Sequence, residues 1–288
     1  MKQKETKGSY LEAINRAIEF IESHTSKNIK LEDIAAYSFL SKFHFHRVFK
    51  SIIGNTAKEY LIRLRLEKAA LQLKNTEKAI NEIAYDCGYN SPEIFNRAFK
   101  AFFSTTPMRF RNNSKKEITI KKNLYSNISF DALNITKPEI IEKESMSLAY
   151  IRHFGSYETI DSSFEQLLSW ATTNLLLKTP HSTIGIVHDN PEITEEANLR
   201  FDACIIISKE IQPQGATGYK KIKGGKFAVF KYKGSFESFH TVYNYIYNCC
   251  LFEFQWELRD EPALETYISK PPFYGAKELI TNFYLPIL

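Results

Sequence analysis

From Tyr10 to Phe110 apolar residues return every three or four positions, as in Leu11, Ile14, Ala17, Ile18 and Ile21, and short Gly, Ser, Asn or Thr breaks divide the run. That period predicts successive amphipathic helices, each hiding one stripe, with no strand between them. Over residues 112–137 the period fades into a stretch rich in Lys, Asn and Ser that ends at Pro138, which predicts a linker with an extended arm. Beyond it the alternation becomes strand-like in SLAYIRHF, STIGIV, FDACIIIS, KFAVFKY, LETYIS and NFYLPI, with two long helical stretches among them. Such a mixture predicts an α+β domain.

Each half carries an internal repeat. In the helical half, Ile34-Ala35 matches Ile83-Ala84, Arg47-Val48-Phe49-Lys50 matches Arg97-Ala98-Phe99-Lys100, and Thr56 and Thr106 follow six residues after each Lys. The spacing from Ala to Arg differs by one residue, as expected of a variable turn between two helices, so the unit reads as helix, tight turn, helix, present twice. In the second half, SLAYIRHFGSYE (147–158) matches KFAVFKYKGSFE (226–237) at an offset of 79, and Phe164/Tyr243 and Leu167/Ile246 keep that offset further on. Each copy reads as strand, Gly-Ser turn able to cap a helix, and helix, and two copies can pack as a pseudo-twofold pair with a groove between them. The expected fold class is therefore multidomain: an all-α double helix-turn-helix domain at 1–111, a linker at 112–137, and an α+β domain at 138–288 built from two pseudo-twofold strand-helix-strand repeats.

Charge separates the same halves. Residues 1–116 hold 21 Lys and Arg against 12 Asp and Glu, whereas the remainder holds 17 against 21, so only the first half suits a polyanion. Cys87, Cys204, Cys249 and Cys250 show no paired CxxC or CxxH spacing, and they read as buried small hydrophobes rather than disulfides or metal ligands. His44 and His46, two apart, are wrongly spaced for a helical metal pair. Neither an eighteen-residue apolar run nor a signal-peptide pattern occurs, which predicts a cytoplasmic protein without a membrane partner. No metal, cofactor or catalytic motif is read.

The second helix of each helical unit carries the candidate chemistry. Ser41 and Ser91 stand where N-caps belong, and Pro92 occupies the first helical position. Phe45/Phe49 and Phe95/Phe99 form a buried stripe in each, leaving Lys42, Phe43, His46, Arg47 and Lys50, and then Glu93, Asn96, Arg97 and Lys100, on other faces. In a major groove Arg reads guanine, Asn reads adenine, a carboxylate accepts from cytosine, and an aromatic presses on a thymine methyl. Read singly, Phe43 could equally pack on a neighbouring helix, and Arg47 and Arg97 could be solvated or phosphate-bound.

The segments LEDIAAYSFLSKFHFHRVFKSIIGNTAKEYLIRLRLEKAALQL and INEIAYDCGYNSPEIFNRAFKAFFSTTPMRFR resemble the DNA-binding domain of the AraC/XylS family over about 100 residues. The resemblance implies two helix-turn-helix units joined by a long helix near 57–73, double-stranded promoter DNA as partner, and insertion into two adjacent major grooves. It assigns base contacts to Phe43, His46 and Arg47 in one groove and to Glu93, Ile94 and Arg97 in the other, with Lys and Arg nearby on phosphates. Asn96 is added from helix geometry. Phe39-Leu40 departs from the small residue and glycine usual in the first turn, which predicts a looser turn there.

AYIRHFGSYETI, LRFDACIII, GGKFAVFKYKGSFESF, LETYIS and TNFYLPI resemble the GyrI-like effector-binding domain over roughly 138–288. That resemblance implies an aromatic groove with one central glutamate, matched by Glu265, that binds hydrophobic and often cationic small molecules. A carboxylate among Trp170, Tyr232 and Tyr267 would attract a delocalised cation that also stacks on the rings. Taken singly, Glu265 reads as an exposed strand residue and the aromatics as core. The combined expectation is a ligand-responsive regulator, an activator by family habit, with RNA polymerase as a second macromolecular candidate. The alternatives are a small-molecule hydrolase using Glu265 as acid or base, and a protein-interaction module that takes no ligand.

Overall fold

The computed structural model describes residues 2–125, 128–176 and 182–288. It divides into two compact units, Met1–Ile118 with Gln214–Ala216, and Thr119–Pro213 with Thr217–Leu288.

The first unit contains α1 (Lys2–Ser23), α2 (Leu31–Tyr37), α3 (Lys42–Ile53), α4 (Ala57–Asn75), α5 (Ile80–Asp86) and α6 (Pro92–Phe103), followed by α7 (Pro107–Tyr125), which runs across the boundary between the units. The pairs α2/α3 and α5/α6 are the two predicted helix-turn-helix units. Their stripes repeat at an offset of 50: Phe45 and Phe49 pack at 5.4 Å with Tyr60 against Phe49, and Phe95 and Phe99 at 5.5 Å with Phe110 against Phe99. The following helices begin alike, with Thr56 Oγ1 accepting from the Glu59 N–H and Thr106 Oγ1 from the Arg109 N–H. Between the units lies α4, touching α3 on one side and α5 and α6 on the other. It buries an ion pair, Arg63 Nη1 to Glu67 Oε2 at 3.1 Å, one turn apart on the same face.

Two local expectations are corrected. The first turn is no looser than the second: Phe39 (φ 58°) and Gly88 (φ 78°) both occupy the left-handed region, and Leu40 and Tyr89 both donate back to Ala35 and Ala84, at 3.2 and 3.0 Å. Those backbone bonds impose the conformation whatever the side chain, so Phe39 adopts it at a strain of about 1–2 kcal/mol. Residues 112–125, expected as linker, continue α7. Its inward positions are Pro107, Arg111, Ser114 and Ile118, a proper helical stripe whose middle members are polar and so invisible to hydrophobic periodicity; Arg111 Nη2 donates to the Lys78 carbonyl at 2.6 Å. Positions 126–127 of the expected linker lie outside the described residues. The extended arm is limited to the end of the segment, where Ile135 and Thr136 bond alongside the later strand at Lys231–Tyr232.

The second unit is an eight-stranded antiparallel sheet with two helices on one face. Its elements are β1 (Glu139–Lys143), β2 (Met146–Phe154), α8 (Asp161–Thr173), β3 (Thr183–Val187), β4 (Arg200–Ile206), β5 (Thr217–Ile222), β6 (Gly225–Gly234), α9 (Phe239–Tyr245), β7 (Ala263–Tyr267) and β8 (Leu279–Pro286). Beyond Tyr245, α9 continues through a wider π turn, Ile246–Cys250, to Leu251–Glu253. Edge strands β1 and β5 escaped the sequence reading because their EIIEK and TGYKKI runs carry charges, as edges commonly do. The sheet order is β1-β6-β8-β7-β3-β4-β2-β5. Exchanging β1–β4 with β5–β8 reverses that order, so a pseudo-twofold axis passes between β3 and β7. At the centre of that pairing Gly185 faces Glu265: the same position in the two repeats, one without a side chain and one with a carboxylate.

The helix-side core joins Phe164 of α8 and Val242 and Ile246 of α9 to sheet residues such as Phe201, Phe230, Tyr232, Tyr267 and Phe283. On the opposite face the buried Asp202 accepts from Arg152, Lys220 and His188. Burial alone would raise its pKa, but the Arg152, Lys220 and His188 charges hold its carboxyl well below the usual range. All four cysteines are free and buried.

Candidate DNA-reading helices and a carboxylate site in the sheet

The recognition surfaces are built by burial of the opposite stripe. With Phe45, Val48 and Phe49 buried, α3 exposes Lys42, Phe43, His46, Arg47 and Lys50. With Phe95 and Phe99 buried, α6 exposes Glu93, Ile94, Asn96, Arg97 and Lys100. All ten predicted positions therefore lie on outward faces, and Phe43 is 82% exposed rather than packed on a neighbour. Lys42 is already engaged, its ammonium paired with Glu32 of α2 at 2.5 Å. His44 is turned inward toward α1, its Nε2 3.1 Å from the Tyr10 hydroxyl.

The N-termini differ more than the repeat suggests. Ser91 Oγ accepts from the Ile94 N–H at 3.3 Å, whereas Ser41 occupies the equivalent position without a side-chain cap bond. The expectation that both serines cap is thus right only for Ser91. Glu93 is held below the ordinary carboxyl range by its bond with Ser91 and by the helix backbone, so it presents an anion able to accept from a base amine.

In the second unit Glu265 is only 3% exposed. Its Oε1 accepts from the Tyr243 hydroxyl at 2.8 Å and its Oε2 from the Tyr267 hydroxyl. Burial pushes the carboxyl up to about 7 against the opposing pull of the two tyrosine bonds. Both phenols are raised well above 10, first by burial and then by the Glu265 charge, and so remain donors. Tyr267 stacks on Phe273 at 4.2 Å, and Tyr243 stands edge-on to Phe283 at 5.0 Å and stacks on Tyr247 at 6.1 Å. The result is a single ionisable carboxyl at the pseudo-twofold axis, enclosed by rings.

Of the four residues predicted for this site, Glu265 and Tyr267 are joined directly. Tyr232 shares their cluster through Phe239 and Phe283, but its hydroxyl donates to the Ser235 carbonyl at 2.8 Å. Trp170 belongs elsewhere, packed with Ala149, Ile151, Leu167 and Ile205. Six residues beyond Phe164 on α8, it is carried away from the axis by the rise of the helix, a displacement invisible to composition. The sequence reading missed Tyr243, although its repeat partner Phe164, which packs on Tyr267 at 5.5 Å, was the signal that both helices face this strand.

Residues 34–113 match the family model for a helix-turn-helix domain, and residues 136–288, just over half of the chain, match that for a GyrI-like small molecule binding domain. The regulatory protein SoxS of Salmonella typhimurium is 35% identical over 36% of this chain and 97% of its own length. The chain belongs to the AraC/XylS family of transcription regulators and carries a GyrI-like domain. To YbfP of Bacillus subtilis, named as an uncharacterized HTH-type transcriptional regulator, this AraC-type chain is 36% identical over 40% of its own length, spanning 39% of that protein. The EcmrR chain of an EcmrR–DNA complex aligns with 90% of this AraC-type chain and 99% of its own, at 14% identity and a TM-score of 0.45. Among the described residues of this regulator no helix is long and apolar enough to cross a membrane.

Proposed function

We propose that this AraC-type regulator reads promoter DNA with α3 and α6 and takes a small aromatic cation at Glu265, the bound effector altering how the DNA-binding module engages its promoter. Residues 1–111 form the DNA-binding module in this reading and residues 138–288 the sensor. The observation that carries the DNA half is the matched exposure of ten polar and apolar readers on two repeated helices whose opposite faces are buried. At 19 residues, α4 is about 28 Å long, a length suited to setting two helices one groove apart. Phe43 meets a thymine methyl, Arg47 and Arg97 meet guanine edges, and Lys50 and Lys100 meet phosphates. Activation, contact with RNA polymerase and residence in the cytoplasm belong to the same reading.

The test uses a duplex enriched from a random library by the full-length chain. Arg97→Ala relaxes base preference at one position of the second half-site, whereas Lys100→Ala weakens specific and random duplexes alike. Equal loss on both duplexes for Arg97→Ala contradicts base reading.

A second reading has one observation behind it. A carboxyl raised to about 7 is matched to general acid–base work near neutral pH, which would make the sheet site hydrolytic. Incubation with aryl esters and aryl cations, followed by product analysis, separates the readings: stabilisation without turnover supports the sensor, turnover supports the hydrolase, and neither supports a protein-binding surface.

A further inference from the structure

Thr281 on β8 is fully buried (0% exposed), and its Oγ1 has no hydrogen-bond partner, a condition that folded proteins keep rare and that calls for an explanation. The register places it opposite Tyr232 of β6 and opposite Tyr267 of β7, two residues from Phe283 and on the same face. Since Phe283 stands opposite Glu265, Thr281 is diagonal to the carboxylate, about 7–8 Å away between Cα atoms. Phe239, at the start of α9, covers the spot: its ring lies 5.4 Å from Tyr232, 4.9 Å from Phe283 and 6.5 Å, stacked, from Tyr267.

The pseudo-twofold axis shows what a purely structural residue does here. The registers Gly185↔Ala203 and Glu265↔Phe283 make Phe201 the counterpart of Thr281. Phe201 fills the space over Gly185, where an added Cβ would come within 2.4 Å of its Cζ. The two repeats thus use reciprocal pairs: no side chain under a large ring, and a long carboxylate beside a small residue. Size alone explains why position 281 is small. Valine would fill the same volume, so the hydroxyl is left unexplained by packing.

We propose that Thr281 Oγ1 is a second polar anchor of the effector site, bonding a hydroxyl or amine on an aromatic cation whose charge lies against Glu265. Phe239 is the side chain that such a ring displaces. This inference rests on the sensor reading above, and it narrows the effector class from any apolar cation to one with a hydrogen-bonding group across the ring from its charge.

The test is calorimetric titration of the full chain at pH 8 with two isosteric probes, 4-(hydroxymethyl)phenyltrimethylammonium and 4-ethylphenyltrimethylammonium. Thr281→Val lowers the affinity ratio of the hydroxymethyl to the ethyl probe about tenfold and changes the ethyl probe less than twofold, while Thr281→Ser keeps the ratio. Loss of a buried orphan hydroxyl leaves the Thr281→Val thermal midpoint equal or higher, which guards against misfolding as the cause. Glu265→Gln weakens both probes together. If Glu265→Gln does so and Thr281→Val leaves the ratio within twofold of the native one, this inference fails alone. If neither probe binds the native chain, or Glu265→Gln changes neither, the cation-sensor reading fails and takes the inference with it.

Discussion

Replacing Glu265 by Gln converts a buried titrating group into a fixed neutral one of nearly the same shape. Folded, the carboxyl is pushed up to about 7 by burial, against an ordinary value of 4.5. Over that interval the folded chain holds a proton that the unfolded chain has released. The stabilisation this provides is complete below about pH 4.5 and disappears as pH rises through about 7. At about 1.4 kcal/mol for each pH unit of difference, the total is about 3 kcal/mol. For a unit of this size each kcal/mol moves the midpoint by roughly 2–4 °C, so the native unit loses about 6–12 °C between pH 4.5 and pH 8 on account of this residue. Glutamine keeps two polar contacts, accepting from one tyrosine and donating to the other, and it cannot titrate. Scanning calorimetry of the native and Glu265→Gln chains at pH 5, 6, 7 and 8 isolates the effect, because every other group is common to both. The expected result is a midpoint difference that grows in favour of Gln as pH rises. A constant difference from pH 5 to pH 8 refutes the raised carboxyl. If the site takes a cation, native affinity for phenyltrimethylammonium also rises as pH passes from 6 to 8, since the ligand then meets a carboxylate without first expelling a proton.

Three further substitutions probe the frame around the sites. Gly185→Ala drives a methyl to within 2.4 Å of the Phe201 ring and should destabilise the second unit by about 1–3 kcal/mol, read as a lower denaturant midpoint; an unchanged midpoint would mean the ring is free to move aside. Phe39→Gly relieves a left-handed aromatic at φ 58°, a strain of about 1–2 kcal/mol offset in part by the greater unfolded-chain freedom of glycine, so thermal melting should show a small gain in the first unit. Ser91→Ala removes a formed cap bond and should cost about 1 kcal/mol, whereas Ser41→Ala, which removes none, should be close to neutral; equal losses would overturn that distinction.

Much of the architecture was written in local pattern. The period of Phe45/Phe49 and Phe95/Phe99 and the turn residues between helices announced both helix-turn-helix units, because a helix that must bury one stripe necessarily displays the others. The offset of 79 announced two copies of a strand-helix unit and hence a pseudo-twofold. Where a helix or strand met its neighbours through polar atoms, the pattern fell silent: α7 turns Arg111 and Ser114 inward, and β1 and β5 are charged edges.

Residue identity and spacing by themselves determined the domain classes and the outward faces of α3 and α6, whereas Glu265 was singled out by the resemblance to the GyrI-like domain. Only the tertiary structure decided which side chains surround that carboxyl. It brought Tyr243 from α9 onto Oε1, left Trp170 in a separate cluster and set Thr281 beside Tyr267 without a partner. The physical reason is that a strand fixes only which face a residue takes, whereas the neighbours on that face come from strand order and helix placement, set by contacts distant in sequence. Glycine at 185 and glutamate at 265 are unremarkable apart; the antiparallel pairing of β3 with β7 places them opposite one another on the axis.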